Sequence, residues 1–286
     1  MTKRGVMTTR ADSLSLTRMT PALGAIVAGI DLSIIPSKQA VELMTSALDE
    51  HLVLFFRGQR LTPRQQRDFT AQFGLLYAHP FYPGAQGAVE VMILDYDEHR
   101  KSAQNAWHAD VTFIETPPHI EILFGEIIPP TGGDTLWASM YTAYEALSLS
   151  FRQLLDGLYA VHDFAKDFPP ARFLASDVTP PSDVYKRHPP VVHPVVRTNT
   201  ATGRKGLFVN ASFTTYLQGM SRRESDAILA FLFEHLQQPE FHVRWHWQCG
   251  DVVMWDNRWT QHYAVSDYFP LHRRVHRVSV LGDRPV

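Results

Sequence analysis

The chain predicts a mainly β fold with flanking helices, an α+β architecture built on a β-sandwich or jelly-roll core. Three observations carry this. Short apolar runs recur at Val53–Phe56, Val91–Leu94, Ile120–Ile127, Leu207–Val209, Val252–Trp255 and Val275–Leu281, most of them after a helix-rich first third. Phe241, Val243, Trp245 and Trp247 alternate with His242, Arg244 and His246, the period of a half-buried strand. Helices announce themselves by caps rather than by long periodic stretches.

Taken in order, residues 1–12 carry no apolar pattern and are expected to fray. Residues 38–51 read as an amphipathic helix. Thr62-Pro63-Arg64-Gln65 is a capping box with Pro at the first helical position, and Gly74 ends that helix. Residues 141–156 read as another amphipathic helix. Ser221-Arg222-Arg223-Glu224 is a second capping box, followed by Ile228, Leu229, Phe231, Leu232 and Leu236 at helical spacing. The proline pairs at 169–170, 180–181 and 189–190 mark an irregular stretch, 166–192, expected to form an active-site lid. No repeat, low-complexity tract or long polar linker divides the chain, so residues 1–286 are expected to form one domain.

Composition excludes several classes of function. A net charge of −2 offers no field for nucleic acid. The single cysteine, Cys249, precludes an internal disulfide framework and suits a reducing compartment. The basic start MTKRGVMTTRADSLS is not followed by the apolar stretch of a secretory signal. No run approaches the 18 or so apolar residues of a membrane span. A cytoplasmic protein with no membrane partner is the expectation.

Two sites carry chemistry. In NAWHADVTF, His108 and Asp110 lie two apart, on the same side of an extended segment. His262, in WDNRWTQHYAVSDY, follows an apolar strand that can return it to the pair. Two imidazoles and one carboxylate with open positions are the ligands of non-haem Fe(II) oxygenases. Zinc hydrolases use the same ligand types, so ligands alone do not settle the metal. Trp107 and Phe113 flank the pair and would keep it dry. In HRRVHR, strand alternation puts Arg273, Val275 and Arg277 on one face, the arginines roughly 13 Å apart at about 3.3 Å per residue. Buried arginines imply anion partners; the plainer alternative is a basic strand edge facing solvent.

These residues resemble the taurine/α-ketoglutarate dioxygenase (TauD/TfdA) family along nearly the whole chain. The markers are WHADVTFIETPP at 107–118, GGDTLW at 132–137, HPVVRT at 193–198 and WDNRWTQHYAVSDY at 255–268. Within the family the resemblance is placed nearer the taurine-acting branch than the phenoxyacetate or alkylsulfatase branches. It implies a double-stranded β-helix fold, with Fe(II) on His108, Asp110 and His262. It implies that Arg273 and Thr135 hold 2-oxoglutarate, and that Arg277, His79 and the Val111 N–H hold a sulfonate. Tyr82, Phe168 and Phe213 would line the substrate pocket. The implied reaction uses O2 and 2-oxoglutarate to hydroxylate the carbon bearing the sulfonate, releasing sulfite, an aldehyde, succinate and CO2. Family members commonly form dimers or tetramers, so a homo-oligomer is expected.

The chain departs from the family pattern around the taurine amine. Ala103 and Gln104 replace polar residues there, and Asp167 replaces a pocket serine. Asp167 is either a solvated lid charge or a replacement partner for the substrate's ammonium. If it is not that partner, amine-free sulfonates or sulfate esters become the expected substrates. His79 can be a structural loop histidine or part of the site. His242 and His246 read as structural despite metal-like spacing. Outside sulfonate oxidation, the rivals are the same chemistry on an alkyl sulfate ester or aryloxyalkanoate, and a jelly-roll protein that binds metal or acid without turnover.

Overall fold

The structure is a computed structural model that describes residues 14–79, 82, 84–102, 105–174 and 180–286. The expectation for residues 1–12, the role given to Gln104 and the middle of the 166–192 stretch lie outside the described residues.

Val252–Asp256 occupies the middle of the large sheet. It pairs antiparallel with Val53–Phe56 on one side and Pro118–Ile127 on the other. Arg273–Leu281, Ala88–Tyr96 and Gly84–Ala85 continue one edge, and Ala25–Ala28 and Ser15–Arg18 the other. The central strands are continuous apolar runs because both faces are covered. Leu54, Phe56, Ile122, Phe124, Val252 and Met254 face outward. There they pack on Met44 and Leu48 of the helix Lys38–His51 and on Phe69 of the helix Pro63–Thr70. The alternate residues Phe55, Leu123, Val253, Trp255 and Val275 turn the other way and meet Trp137, Val243 and Trp245. The latter three come from a second sheet of His242–Trp245, Thr135–Ser139 and Thr260–Ala264. The two sheets form a jelly-roll sandwich with helices outside it, the mainly β, α+β class expected.

Both predicted capping boxes form, at Thr62/Gln65 and Ser221/Glu224. The helix expected over 141–156 is two, Met140–Glu145 and Leu149–Leu155. The break is chemical: Ser148 caps a fresh N-terminus by accepting from the Phe151 N–H. The 166–192 stretch is also less irregular than expected, since it holds Pro170–Leu174 and Val184–Arg187 as short helices. The apolar run at 207–209 belongs to a strand that lies earlier, Lys205–Leu207.

Candidate metal centre and its pocket

His108 and His262 arrive on neighbouring backbone. The His108 N–H donates to the His262 carbonyl at 3.0 Å, and the His262 N–H returns a bond to the His108 carbonyl at 2.8 Å. Asp110 follows where the chain leaves this bridge and turns. It is held by Asn257, which accepts from the Asp110 N–H at 2.8 Å and donates to the Asp110 carbonyl at 2.9 Å. All three candidate ligands are buried, and one ligand atom from each lies within 4.8 Å of the others.

The donor set suits a metal ion. His108 Nδ1 lies 2.9 Å from the Ala106 carbonyl, which fixes the proton there and leaves the Nε2 lone pair for coordination. His108 Nε2 and His262 Nε2 stand 3.8 and 3.7 Å from the Asp110 carboxylate, too far to hydrogen-bond. Asp110 Oδ2 is buried with no hydrogen-bond partner among the described residues. Burial favours protonation of Asp110, but Arg277 and the two imidazoles outweigh it and hold the carboxyl below its usual range. Burial, aided by His108, pushes His262 down to about 3, so its ring is neutral at pH 7. A carboxylate and a neutral imidazole are the states that bind metal.

One cavity is lined by this triad together with His79, Tyr82, Val111, Thr135, Asp167, Phe168, Phe213, Arg273 and Arg277. The structure thus brings together every candidate site residue named from the sequence that lies among the described residues. Arg273, Val275 and Arg277 share a wall because they alternate with Arg274 and His276 along one strand. Arg273 is buried, with its guanidinium carbon 5.7 Å from the centre of the Tyr268 ring. Its stem passes Gly133, where a Cβ would stand 3.1 Å from Arg273 Cδ. Gly132 and Gly133 both have positive φ, so this close approach needs the GG of GGDTLW. Thr135 is oriented by Trp247, whose indole N–H donates to its hydroxyl at 3.0 Å.

Arg277 is less open than expected. It donates to Asp110 Oδ1 at 2.5 Å, and its Nε lies 3.7 Å from Glu121. One guanidinium cannot neutralise two buried carboxylates. Asp110 has the direct contact, and burial drives Glu121 upward toward its neutral form. A guanidinium has five N–H donors, so the Asp110 contact leaves others for a substrate anion. His79 is pushed down to about 3, by burial first and then by Arg277, so it offers the site a neutral ring. Val111 has φ 57, rare for a β-branched residue and costing about 1–3 kcal/mol.

Asp167 is the main departure. Its Oδ2 lies 3.0 Å from Arg172 Nη1, an ion pair that balances its charge, while that oxygen has no hydrogen-bond partner among the described residues. Trp107 does not line the cavity; it packs on His242 and Tyr263, and Phe113 alone of the flanking pair reaches the site. His242 and His246 are structural as read, bonded to the Leu236 carbonyl and to Asp134. Sequence reasoning missed Tyr268, Asn257, Glu121 and Arg172. Glu121 had a signal, an acid inside the apolar run HIEILFG.

Comparisons with known proteins show what the whole chain is similar to. The model of the taurine catabolism dioxygenase TauD, TfdA family matches residues 15–279. An alkylsulfatase from Acinetobacter baylyi is 40% identical, covering 94% of this chain and 86% of its own. An alpha-ketoglutarate-dependent sulfate ester dioxygenase from Pseudomonas putida is 38% identical, covering 92% and 88%. The crystal structure of a taurine dioxygenase from Burkholderia xenovorans is 37% identical, covers 96% and 91%, and superposes with a TM-score of 0.82. Sulfate-ester and sulfonate enzymes therefore stand at nearly equal similarity, and on the family match the chain belongs to the taurine catabolism dioxygenase TauD, TfdA family.

Proposed function

We propose that this protein is an Fe(II)- and 2-oxoglutarate-dependent dioxygenase that oxidises the carbon bearing the anionic head of an alkyl sulfate ester. The observation that carries the choice of substrate is the Asp167–Arg172 ion pair at 3.0 Å. A taurine ammonium needs an uncommitted carboxylate, and among the described pocket residues Asp110 and Asp167 are both matched by arginines. The sulfate-ester relatives at 40% and 38% identity support the same choice.

His108, Asp110 and His262 would hold Fe(II), which when bound supplies the activation of O2 at the expense of 2-oxoglutarate. Arg273, steadied by Tyr268 and set against Gly133, would take the distal carboxylate of 2-oxoglutarate, with the Thr135 hydroxyl beside it. Arg277, neutral His79 and the Val111 N–H would take the sulfate. Tyr82, Phe168 and Phe213 would exclude water around the alkyl chain. Fixing the head group fixes the adjacent carbon, which is the protein's main contribution to rate. The hydroxylated carbon then sheds sulfate to leave an aldehyde, while 2-oxoglutarate ends as succinate and CO2. Asp167 and Phe168 reach the pocket from the 166–192 segment, which supports its reading as a lid on a single domain. A cytoplasmic homo-oligomer completes the reading.

The second reading is taurine or another alkanesulfonate, supported by the 37% identical taurine dioxygenase. Arg277 suits a sulfonate as well as a sulfate. The test is to load anaerobic protein with Fe(II) and 2-oxoglutarate, admit O2, and measure succinate, sulfate and sulfite with hexyl sulfate, hexanesulfonate and taurine. Sulfate matching succinate from hexyl sulfate is expected. Sulfite matching succinate from taurine alone would establish the second reading, and background succinate throughout would return the protein to a binding role.

A further inference from the structure

Val111 stands between two residues that are clamped from behind. On one side Asn257 grips both backbone groups of Asp110. On the other, the Thr112 hydroxyl accepts from Asn210 Nδ2 at 2.9 Å and meets His162 Nδ1 at 2.9 Å. His193 Nε2 donates to the Thr112 carbonyl at 3.0 Å and to the Ile114 carbonyl at 3.1 Å. Asn210 Oδ1 accepts the N–H of Phe213, a pocket residue, at 2.9 Å. Thr112, His162, His193, Asn210 and Asn257 are all buried. None of His162, His193 and Asn210 lines the cavity.

A β-branched residue at φ 57 persists only where its surroundings over-determine it. Released, the Val111 backbone would fall back to negative φ, and its N–H would turn with it. Two of the clamping side chains are histidines that neither hold the candidate metal nor face the substrate. Burying two such groups is costly unless each is bonded, and here one bond from each meets Thr112, next to the strained residue, while His162 Nε2 also meets the Thr214 hydroxyl at 3.3 Å.

We propose that Thr112, with His162, His193 and Asn210, forms a positioning network that holds Val111 in its left-handed conformation and so sets the aim of the Val111 N–H at the substrate anion. The proposal deepens the functional reading above and rests on it for the identity of that anion. The network also ties Phe213 to the same hydroxyl, so the anion donor and one pocket wall share a mount.

Thr112→Val keeps the side-chain shape and removes the hydroxyl; Thr112→Ser keeps the hydroxyl. In the Fe(II)-loaded full-length enzyme with hexyl sulfate as probe, Thr112→Val is expected to raise the KM for hexyl sulfate at least tenfold. The KM for 2-oxoglutarate should change less than twofold, and Thr112→Ser should keep both KM values near those of the wild type. A folded Thr112→Val with an unchanged KM for hexyl sulfate, or with both KM values raised alike, overturns the proposal. Amide exchange over 107–114 is measured on the same variants without substrate. Exchange at least tenfold faster in Thr112→Val, with 118–127 unchanged, is expected; unchanged exchange overturns the network. If the wild type turns over no alkyl sulfate, the substrate reading falls and exchange alone decides the network. If Thr112→Val does not fold, His193→Leu, which removes the donor to the Thr112 and Ile114 carbonyls, takes its place in both measurements: the same rise in KM and in exchange is expected, and unchanged values overturn the network.

Discussion

Arg277 donates to Asp110, so the side chain best placed for the substrate's anion is tied to a candidate metal ligand. The Nε of the same guanidinium lies 3.7 Å from Glu121 Oε2, an oxygen that also accepts from the Ser279 hydroxyl at 2.7 Å. Occupancy of the candidate metal site and of the proposed anion site would therefore be linked through one arginine.

Glu121 should tune anion affinity. Kept neutral by burial, it leaves Arg277 its charge; ionised at alkaline pH, it competes for it. The KM for an alkyl sulfate should rise as pH is raised into the alkaline range in the wild type. Glu121→Gln, which keeps the shape and an acceptor for Ser279, should flatten that rise. A parallel rise in both proteins would show that Glu121 does not titrate against Arg277.

Removing one candidate ligand should remove the metal. His262→Ala leaves two protein ligands, and its Mn(II) affinity by calorimetry should fall by more than the factor of about 10–100 seen when a group that only supports a ligand is lost. Because His262 also takes part in a backbone bridge that survives the substitution, secondary structure by circular dichroism should be unchanged.

Arg273→Leu should act on the cosubstrate alone. Removing one side of a buried charge pair costs about 2–5 kcal/mol, a factor of about 30 or more in the KM for 2-oxoglutarate. The KM for the alkyl sulfate should move by less than a factor of about 3. Equal effects on both would place Arg273 between the two ligands rather than on one.

Acid should destabilise the fold through its buried histidines. Burial lowers His193 to about 4, and burial with His193 nearby puts His162 well below its ordinary value. The unfolded chain takes up these protons near pH 6.5 and the folded chain does not. Their stabilising contribution is complete above that pH and is lost as pH falls toward 4, by about 1.4 kcal/mol per pH unit for each histidine. Thermal melts of the metal-free protein should show Tm falling from pH 7 to 5, and a flat Tm would contradict it.

Features that repeat along the chain were legible in the sequence. Continuous apolar runs marked strands covered on both faces, and strand alternation alone put Arg273 and Arg277 on one wall. The His108–Asp110 spacing and its return partner His262 were legible as residue types that have few other reasons to converge. Features set by a single side-chain encounter were not. Nothing in the spacing of Asp167 and Arg172 announces an ion pair, because the turns between them depend on how the segment packs. Ser15–Arg18 is exposed at every residue on a sheet edge and carries no apolar pattern to read. The break at Ser148 was visible in principle, as a helix cap inside a periodic stretch. Thr260–Ala264, which delivers His262, mixes polar and apolar residues and is a strand only by virtue of its pairing with Thr135–Ser139.

The reciprocal bridge between His108 and His262 bears on how the protein acquires its ion. Two candidate ligands from distant parts of the chain are spliced by backbone bonds of 3.0 and 2.8 Å that owe nothing to a metal. In domains whose ligands meet only around the ion, chelation and unfolding are one event. Here they should be separable. A chelator would strip the ion and leave the receptacle standing, so that reloading proceeds at the pace of ion dehydration and entry rather than of refolding, and one molecule can pass through many cycles of metal loss and repair.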